Sequence, residues 1–252
     1  MDIFQNPTNQ EYITASAGSQ LRIRYDASSS HYQVMLPGGD WTALVDDPSS
    51  FFNGAASMSF KLAGSPQSIF IIRTHYSLPA DIRYRYSNLA VWGIATTDGK
   101  GSAAGTTAFG IPTTVAGIPL SGSATYQGMI EGGATFKCVC GWDGEIANAG
   151  IGGTVSFNFD FGKGSFSGTL NPYLDAEKRY DLDALTFSNT SFGAGSQIFS
   201  GTFNTNVSGP NSFAGQFTGP HAEELIGKWE FPFSSPTDGS AQSASGAMIA
   251  KQ

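Results

Sequence analysis

The chain has 252 residues, among them 32 Gly, 12 Pro and 19 Phe, with only 13% charged residues and a formal charge of −7. That surplus of acid excludes nucleic acid as the partner, because such binding needs Lys and Arg against phosphates, and it disfavours an anionic membrane face for the same reason. No stretch reaches the roughly 18 apolar residues of a membrane-spanning helix, and the start, Met1 to Asn6, has neither the basic nor the apolar part of a signal peptide.

Abundant Gly, Ser, Thr and aromatics predict an all-β chain of short strands joined by tight turns. In the first half the alternation of apolar and polar residues predicts strands at Ser19–Asp26, His31–Met35, Ser57–Leu62, Ile69–His75, Ile82–Tyr86 and Ala90–Ala95. Residues 37–40 and 46–53 read as turns and loops, as does Thr97–Gly105. Pro112 and Pro119 rule out a regular central strand between them, so a linker falls at 111–120.

From Ser121 onward hairpin-like units recur. Strands are expected at Ala124–Glu131, Ala134–Cys140, Gly153–Phe161, Gly164–Leu170, Tyr180–Thr190, Gln197–Asn204, Ser212–Thr218, Gly227–Phe233 and Gly246–Lys251. The units F-S-G-T-L (166–170), F-S-G-T-F (199–203) and F-A-G-Q-F (213–217) put aromatics and a glycine on one face. Glycine there relieves crowding where a sheet bends sharply, which favours a small closed barrel. After Phe217 the pattern changes: Gly219-Pro220 breaks the strand, Glu223 and Glu224 suit the positive end of a short helical turn, and Gly227 ends it.

Cys138 and Cys140 are the two cysteines. Two apart on a strand they sit about 6.6 Å from each other, near the limit for a disulfide. Three readings stay open: a labile disulfide, a soft metal pair, or two small residues packed in a sheet.

No catalytic constellation emerges. His31, His75 and His221 are far apart, and no nucleophile elbow, H-E-x-x-H, phosphate loop or dinucleotide fingerprint occurs. Asp160, Asp175, Glu177, Asp181 and Asp183 sit beside turns, where carboxylates are commonly solvated.

Positive charge clusters instead at Arg73, His75, Arg83 and Arg85, interleaved with Tyr76, Tyr84 and Tyr86. Haem iron is held by His, Cys, Met or Tyr, and ferric ion favours Tyr and carboxylates. One reading is therefore an iron or haem site with His75 as the metal ligand and the arginines on propionates or on acidic groups of a protein partner. The other is strand aromatics packing a small core, with arginines outside as edge protection. His31-Tyr32 is a weaker candidate of the first kind.

The run from Phe213 to Lys251 resembles the C-terminal barrel motif of bacterial surface proteins related to transferrin-binding protein B. The matching residues are Phe213, Gly215, Phe217, Gly219, Pro220, Ala222, Glu224, Gly227, the aromatic Trp229, and Ala250-Lys251. R-Y-S-N-L-A-V-W-G and the F-G-I-P-T to S-G-S-A-T-Y-Q-G stretch are similar to the same family, where a strand ending near F-G-I-P-T closes a smaller handle. The resemblance implies a small β-rich handle domain over 1–118 followed by an eight-stranded antiparallel β-barrel over 119–252. It further implies a surface lipoprotein or secreted solute-binding protein of a Gram-negative outer membrane, exported by a dedicated translocon after loss of a signal peptide. The expected role is non-enzymatic iron or haem acquisition, from haem or a host iron or haem protein, beside a TonB-dependent receptor. A single lobe argues against transferrin itself. The alternative is a surface protein that binds host macromolecules for adhesion or immune evasion, with no small ligand.

Overall fold

The computed structural model describes residues 9–16, 21–36, 38–47, 50, 57–73, 84–95, 102–137 and 146–252. Eight strands form a first sheet: β1 (Gln10–Ser16), β2 (Arg22–Asp26), β3 (His31–Met35), β4 (Thr42–Asp46), β5 (Ser57–Leu62), β6 (Ser65–Arg73), β7 (Ser87–Ala95) and β8 (Ser102–Gly110). They pair antiparallel in chain order, and β1 pairs back onto β8, with Ile13 opposite Gly110 and Ser16 opposite Thr107. The first half is thus a closed barrel in its own right, which corrects the expected handle of mixed strands. The local pattern hid this because β1, β4 and β8 are short of large apolar residues: T-A-L-V-D and S-A-A-G-T-T-A-F-G carry little of the alternation that marks a strand. Its core is Tyr12, Ile23, Val34, Phe60, Phe70, Trp92 and their neighbours, with Phe70 and Trp92 stacked at 6.3 Å.

A linker containing one short 3-10 turn (Val115–Gly117) leads to the second sheet. Its strands are β9 (Ser123–Lys137), β10 (Ile146–Asp160), β11 (Ser165–Asp175), β12 (Arg179–Asp181), β13 (Leu185–Ser191), β14 (Ile198–Phe203), β15 (Ser212–Thr218), β16 (Glu224–Ser234) and β17 (Ala241–Lys251). The order β10-β9-β17-β16-β15-β14-β13-β11 closes through β10–β11 pairing, and β12 adds onto β11 outside the ring. This is the eight-stranded antiparallel barrel that the aromatic-glycine repeats predict.

Three local expectations are corrected. Gly132-Gly133 does not divide two strands at Glu131 and Ala134: β9 runs through it, and a side chain at Gly132 would strike the Ser245 carbonyl of β17 and, at 2.7 Å, the Trp229 indole. The glycine makes room for its neighbours in the barrel wall rather than for a break between strands. Tyr84–Tyr86 lies outside any strand, because its backbone N–H groups are used elsewhere. No helical turn follows Pro220; Gly219 (φ +89°) and Ala222 (φ +60°) make a tight left-handed turn that leads straight into β16.

The second core is dense in phenylalanine. Phe159 is 1% exposed, with ring centroids of Phe166 and Phe217 at 4.9 Å, Phe192 at 5.1 Å and Phe199 at 5.3 Å, mostly edge to face, the geometry that ring quadrupoles favour. The repeat glycines serve these rings. A side chain at Gly168, Gly201 or Gly215 would overlap Phe187, Phe213 or Phe199 respectively. The barrel interior is therefore filled by its own side chains, as an eight-stranded cylinder of this kind permits.

Candidate functional site

The family-like motif residues converge on one end of the second barrel, where it meets the first. Tyr126, from S-A-T-Y-Q-G, points inward and donates its hydroxyl to the carbonyl of Ala222, from G-P-H-A. Gly117 lies so close beneath the Pro220 carbonyl that no side chain would fit, and Gly128 is packed in the same way against Ile249 and Ala250. The opening and closing segments of the barrel thus lock each other. The Tyr126 phenol is pushed up by burial and secondarily by the Glu223 charge, so it remains a donor. Replacing Tyr126 by Phe removes this hydroxyl donor from the Ala222 carbonyl and is expected to cost about 1–2 kcal/mol, read as a lower midpoint in urea with unchanged slope.

Glu224 forms the joint to the first barrel. Its carboxylate is 3% exposed and accepts the backbone N–H of Arg85 at 2.6 Å and of Tyr86 at 3.0 Å. Burial pushes its pKa up to about 7 against the opposing pull of those N–H donors and of Ser87. Around it Ser87 and Thr218 share a hydroxyl hydrogen bond of 2.6 Å, Tyr84 donates to the Ile249 carbonyl at 3.3 Å, and Gly219 N–H donates to the Ile111 carbonyl at 3.0 Å. Tyr84, Leu89, Ala108, Ile226, Ala247 and Ile249 form a small apolar core between the barrels.

Of the residues expected to bind a ligand, the structure brings Tyr84, Arg85 and Tyr86 to this seam. Tyr84 is buried, its phenol pushed up first by burial and then by Glu224; Tyr86 is half-buried with its ring against Gly219; Arg85 is exposed. His31 is exposed at the start of β3, its Nδ1 on the Ser29 carbonyl. Arg73 ends β6 opposite Ser57, and its side chain is outside the described residues, as are His75, Tyr76, Arg83 and the two cysteines. Among the described residues no group of three His, Cys, Asp or Glu is arranged to hold a metal.

Two features escaped the sequence reading. Glu224 was legible as an acid in the motif, but its partners are backbone atoms 138 and 139 positions away, which no side-chain pattern betrays. On the first barrel Arg24 stacks over Trp41 at 4.3 Å and Arg22 at 5.2 Å, with Arg22 also paired to Glu11 and Arg24 donating to Gln33 at 2.7 Å. Trp41 drew no reading from the sequence, because nothing local to it marks two arginines of β2 as its neighbours.

Two open clefts flank the seam, of about 650 and 660 Å³. The first lies between β1–β2 and the β13–β16 wall, lined by Leu21, Arg22, Phe192, Ile198, Gln216 and Lys228 among others. The second is walled by small residues, including Gly105, Gly133, Ala134 and Gly246, with Trp92 and Glu230 at its sides.

Among solved structures, this chain is similar to a double mutant of transferrin binding protein B from Haemophilus parasuis Hp5 (16% identity, 97% of this chain and 54% of that one, TM-score 0.46). It is also similar to isotype 1 transferrin binding protein B from serogroup B Neisseria meningitidis (16%, 96% and 43%, TM-score 0.47) and to intact Ap-TbpB with its N and C lobes (17%, 93% and 52%, TM-score 0.45). The chain spans about half the length of these proteins. A search of curated proteins gives no match. The sequence profile described as "C-lobe and N-lobe beta barrels of Tf-binding protein B" matches residues 118–252, the whole second barrel with its interlocked motifs. The chain belongs to the transferrin-binding protein B β-barrel family.

Proposed function

We propose that this chain is a non-enzymatic binding protein of iron acquisition, displayed by a lipid anchor on, or released from, the outer membrane of a Gram-negative bacterium. Its cargo is a host iron-carrying protein or haem, passed on to a TonB-dependent receptor. The observation that carries this reading is membership of the transferrin-binding protein B barrel family over residues 118–252. The phenylalanine-filled second barrel supports it by pushing any ligand to outer faces, loops and the clefts. For haem, His75 is the proposed iron ligand, with Tyr76 and His31 as further candidates and Arg73, Arg83 and Arg85 for the propionates.

The Arg22–Trp41–Arg24 stack favours a second reading, a macromolecular partner without a small ligand, since Trp and Arg dominate the energetics of protein interfaces. One experiment separates the readings. Purified protein titrated with haemin gives a sharp Soret band, weakened in His75→Ala, if haem is the cargo; immobilised protein retains iron-loaded host carrier proteins if a protein is. A featureless haemin spectrum together with no retention of an iron carrier removes the iron reading and leaves the macromolecular one.

A further inference from the structure

At the end of the first barrel where β1 begins and β2 finishes lies a shallow cleft of about 430 Å³, within the roughly 300–1,000 Å³ of small-molecule sites. Its described lining is Asn9, Gln10, Glu11, Arg24, Tyr25 and Asp26. Every one of these is a hydrogen-bonding side chain, none is buried, and no aliphatic residue stands among them. Gln10 is directly opposite Tyr25 in the β1–β2 ladder, and Glu11 is opposite Arg24.

Most of these groups are held by one bond and open at another. Glu11 receives Nε and Nη2 of Arg22 on Oε1, the first at 2.8 Å, and its Oε2 has no partner among the described residues. Arg24 is fixed over the Trp41 ring at 4.3 Å and by its Nε on Gln33 at 2.7 Å, which leaves Nη1 and Nη2 open. Asn9 accepts the Ala27 N–H at 2.7 Å and keeps its NH₂, while Gln10 donates to the Glu11 carbonyl at 2.8 Å and keeps its oxygen. The Tyr25 hydroxyl has no partner among the described residues. Asp26 alone is spent, with both oxygens taken by Ser28, Ser29 and Gln33.

The open set therefore mixes donors with acceptors. A simple anion drawn to Arg24 meets the Glu11 and Asp26 carboxylates, and a simple cation drawn to those meets the guanidinium. Adjacent hydroxyls, each a donor and an acceptor, satisfy an open carboxylate oxygen and a guanidinium fork together. We propose that this cleft binds a neutral sugar, with neighbouring ring hydroxyls between Glu11 and Arg24 and others on Asn9, Gln10 and Tyr25. The site is independent of the iron reading. It shares only Arg24 with the protein-interface reading, and a protein docking through Trp41 leaves a sugar titration blank, so the two fail separately.

The test is titration of the isotopically labelled whole chain with lactose, maltose and methyl α-mannoside, followed by backbone amide shifts, with 3′-sialyllactose as the charged arm and glycerol as the nonspecific one. At least one neutral sugar is expected to saturate in the millimolar range, moving the amides of residues 9–11 and 24–26 and leaving the second barrel unmoved. Arg24→Lys keeps the charge, loses the fork and is expected to weaken that sugar about tenfold, the scale of one lost charge-assisted bond. Tyr25→Phe removes only a hydroxyl and is expected to weaken it about fivefold. Neither position is buried, so the melting temperature of the unliganded variants stays that of the parent. No saturable shift with any of the three sugars, tighter binding of sialyllactose than of lactose, shifts matched by glycerol at equal hydroxyl concentration, or unchanged affinity in both variants overturns the proposal.

Discussion

Glu224→Gln is expected to lower the melting temperature by about 3–10 °C near pH 5.5 and to flatten the pH dependence of stability between pH 5 and 7.5. The carboxyl group receives two buried backbone N–H groups from the first barrel, at 2.6 and 3.0 Å. Near pH 5.5 it is the neutral acid, whose two oxygens both still accept, whereas an amide of the same shape keeps one acceptor and turns an NH₂ against the other donor, at a cost of about 1–3 kcal/mol. Glu224→Ala loses both acceptors and opens a gap in the seam, so its loss is expected to be larger.

The sign of the pH effect follows from burial. The folded pKa is raised, from an ordinary 4.5 to about 7, so the joined barrels hold a proton on Glu224 that the unfolded chain has released. Its contribution is complete below pH 4.5 and disappears as pH rises through 7, a span of about 3 kcal/mol for a group this buried. Thermal melts of parent and Glu224→Gln from pH 5 to 7.5 measure it: the parent falls with rising pH and the variant does not. Parallel curves would mean that the ionised carboxylate is as well stabilised in the seam as in water.

Phe159→Ala is the second large effect. The ring is buried and has seven aromatic neighbours between 4.9 and 5.9 Å: Tyr126, Phe157, Phe161, Phe166, Phe192, Phe199 and Phe217. So many rigid rings, held by a closed hydrogen-bonded wall, cannot collapse into the space, and the expected cost is about 3–5 kcal/mol. Phe159→Leu, which refills part of the volume, is expected to lose less than Phe159→Ala. Calorimetry then shows the second barrel melting early in Phe159→Ala, ahead of a first barrel built on its own separate core. A loss of only a few tenths of a kcal/mol would show that the aromatic core is fluid enough to heal.

The sequence by itself determined the all-β class and the second barrel, because a period-2 alternation of Phe with Gly and Ser is a local property that reports which face is buried. It also marked the motif residues Tyr126, Gly128, Gly219, Pro220, Ala222, Glu224 and Ala250, though not what each one touches. Only the tertiary structure decided that the first half closes as well, since β1, β4 and β8 owe their strand state to partners far along the chain rather than to their own alternation. It likewise decided that Gly132 is a seat for Trp229 and not a break between two strands, and that Glu224 grips backbone amides of the other barrel in place of starting a helix. In each case the deciding partner is main chain or a ring brought in from another strand, and neither leaves a mark in the residues beside the position it governs.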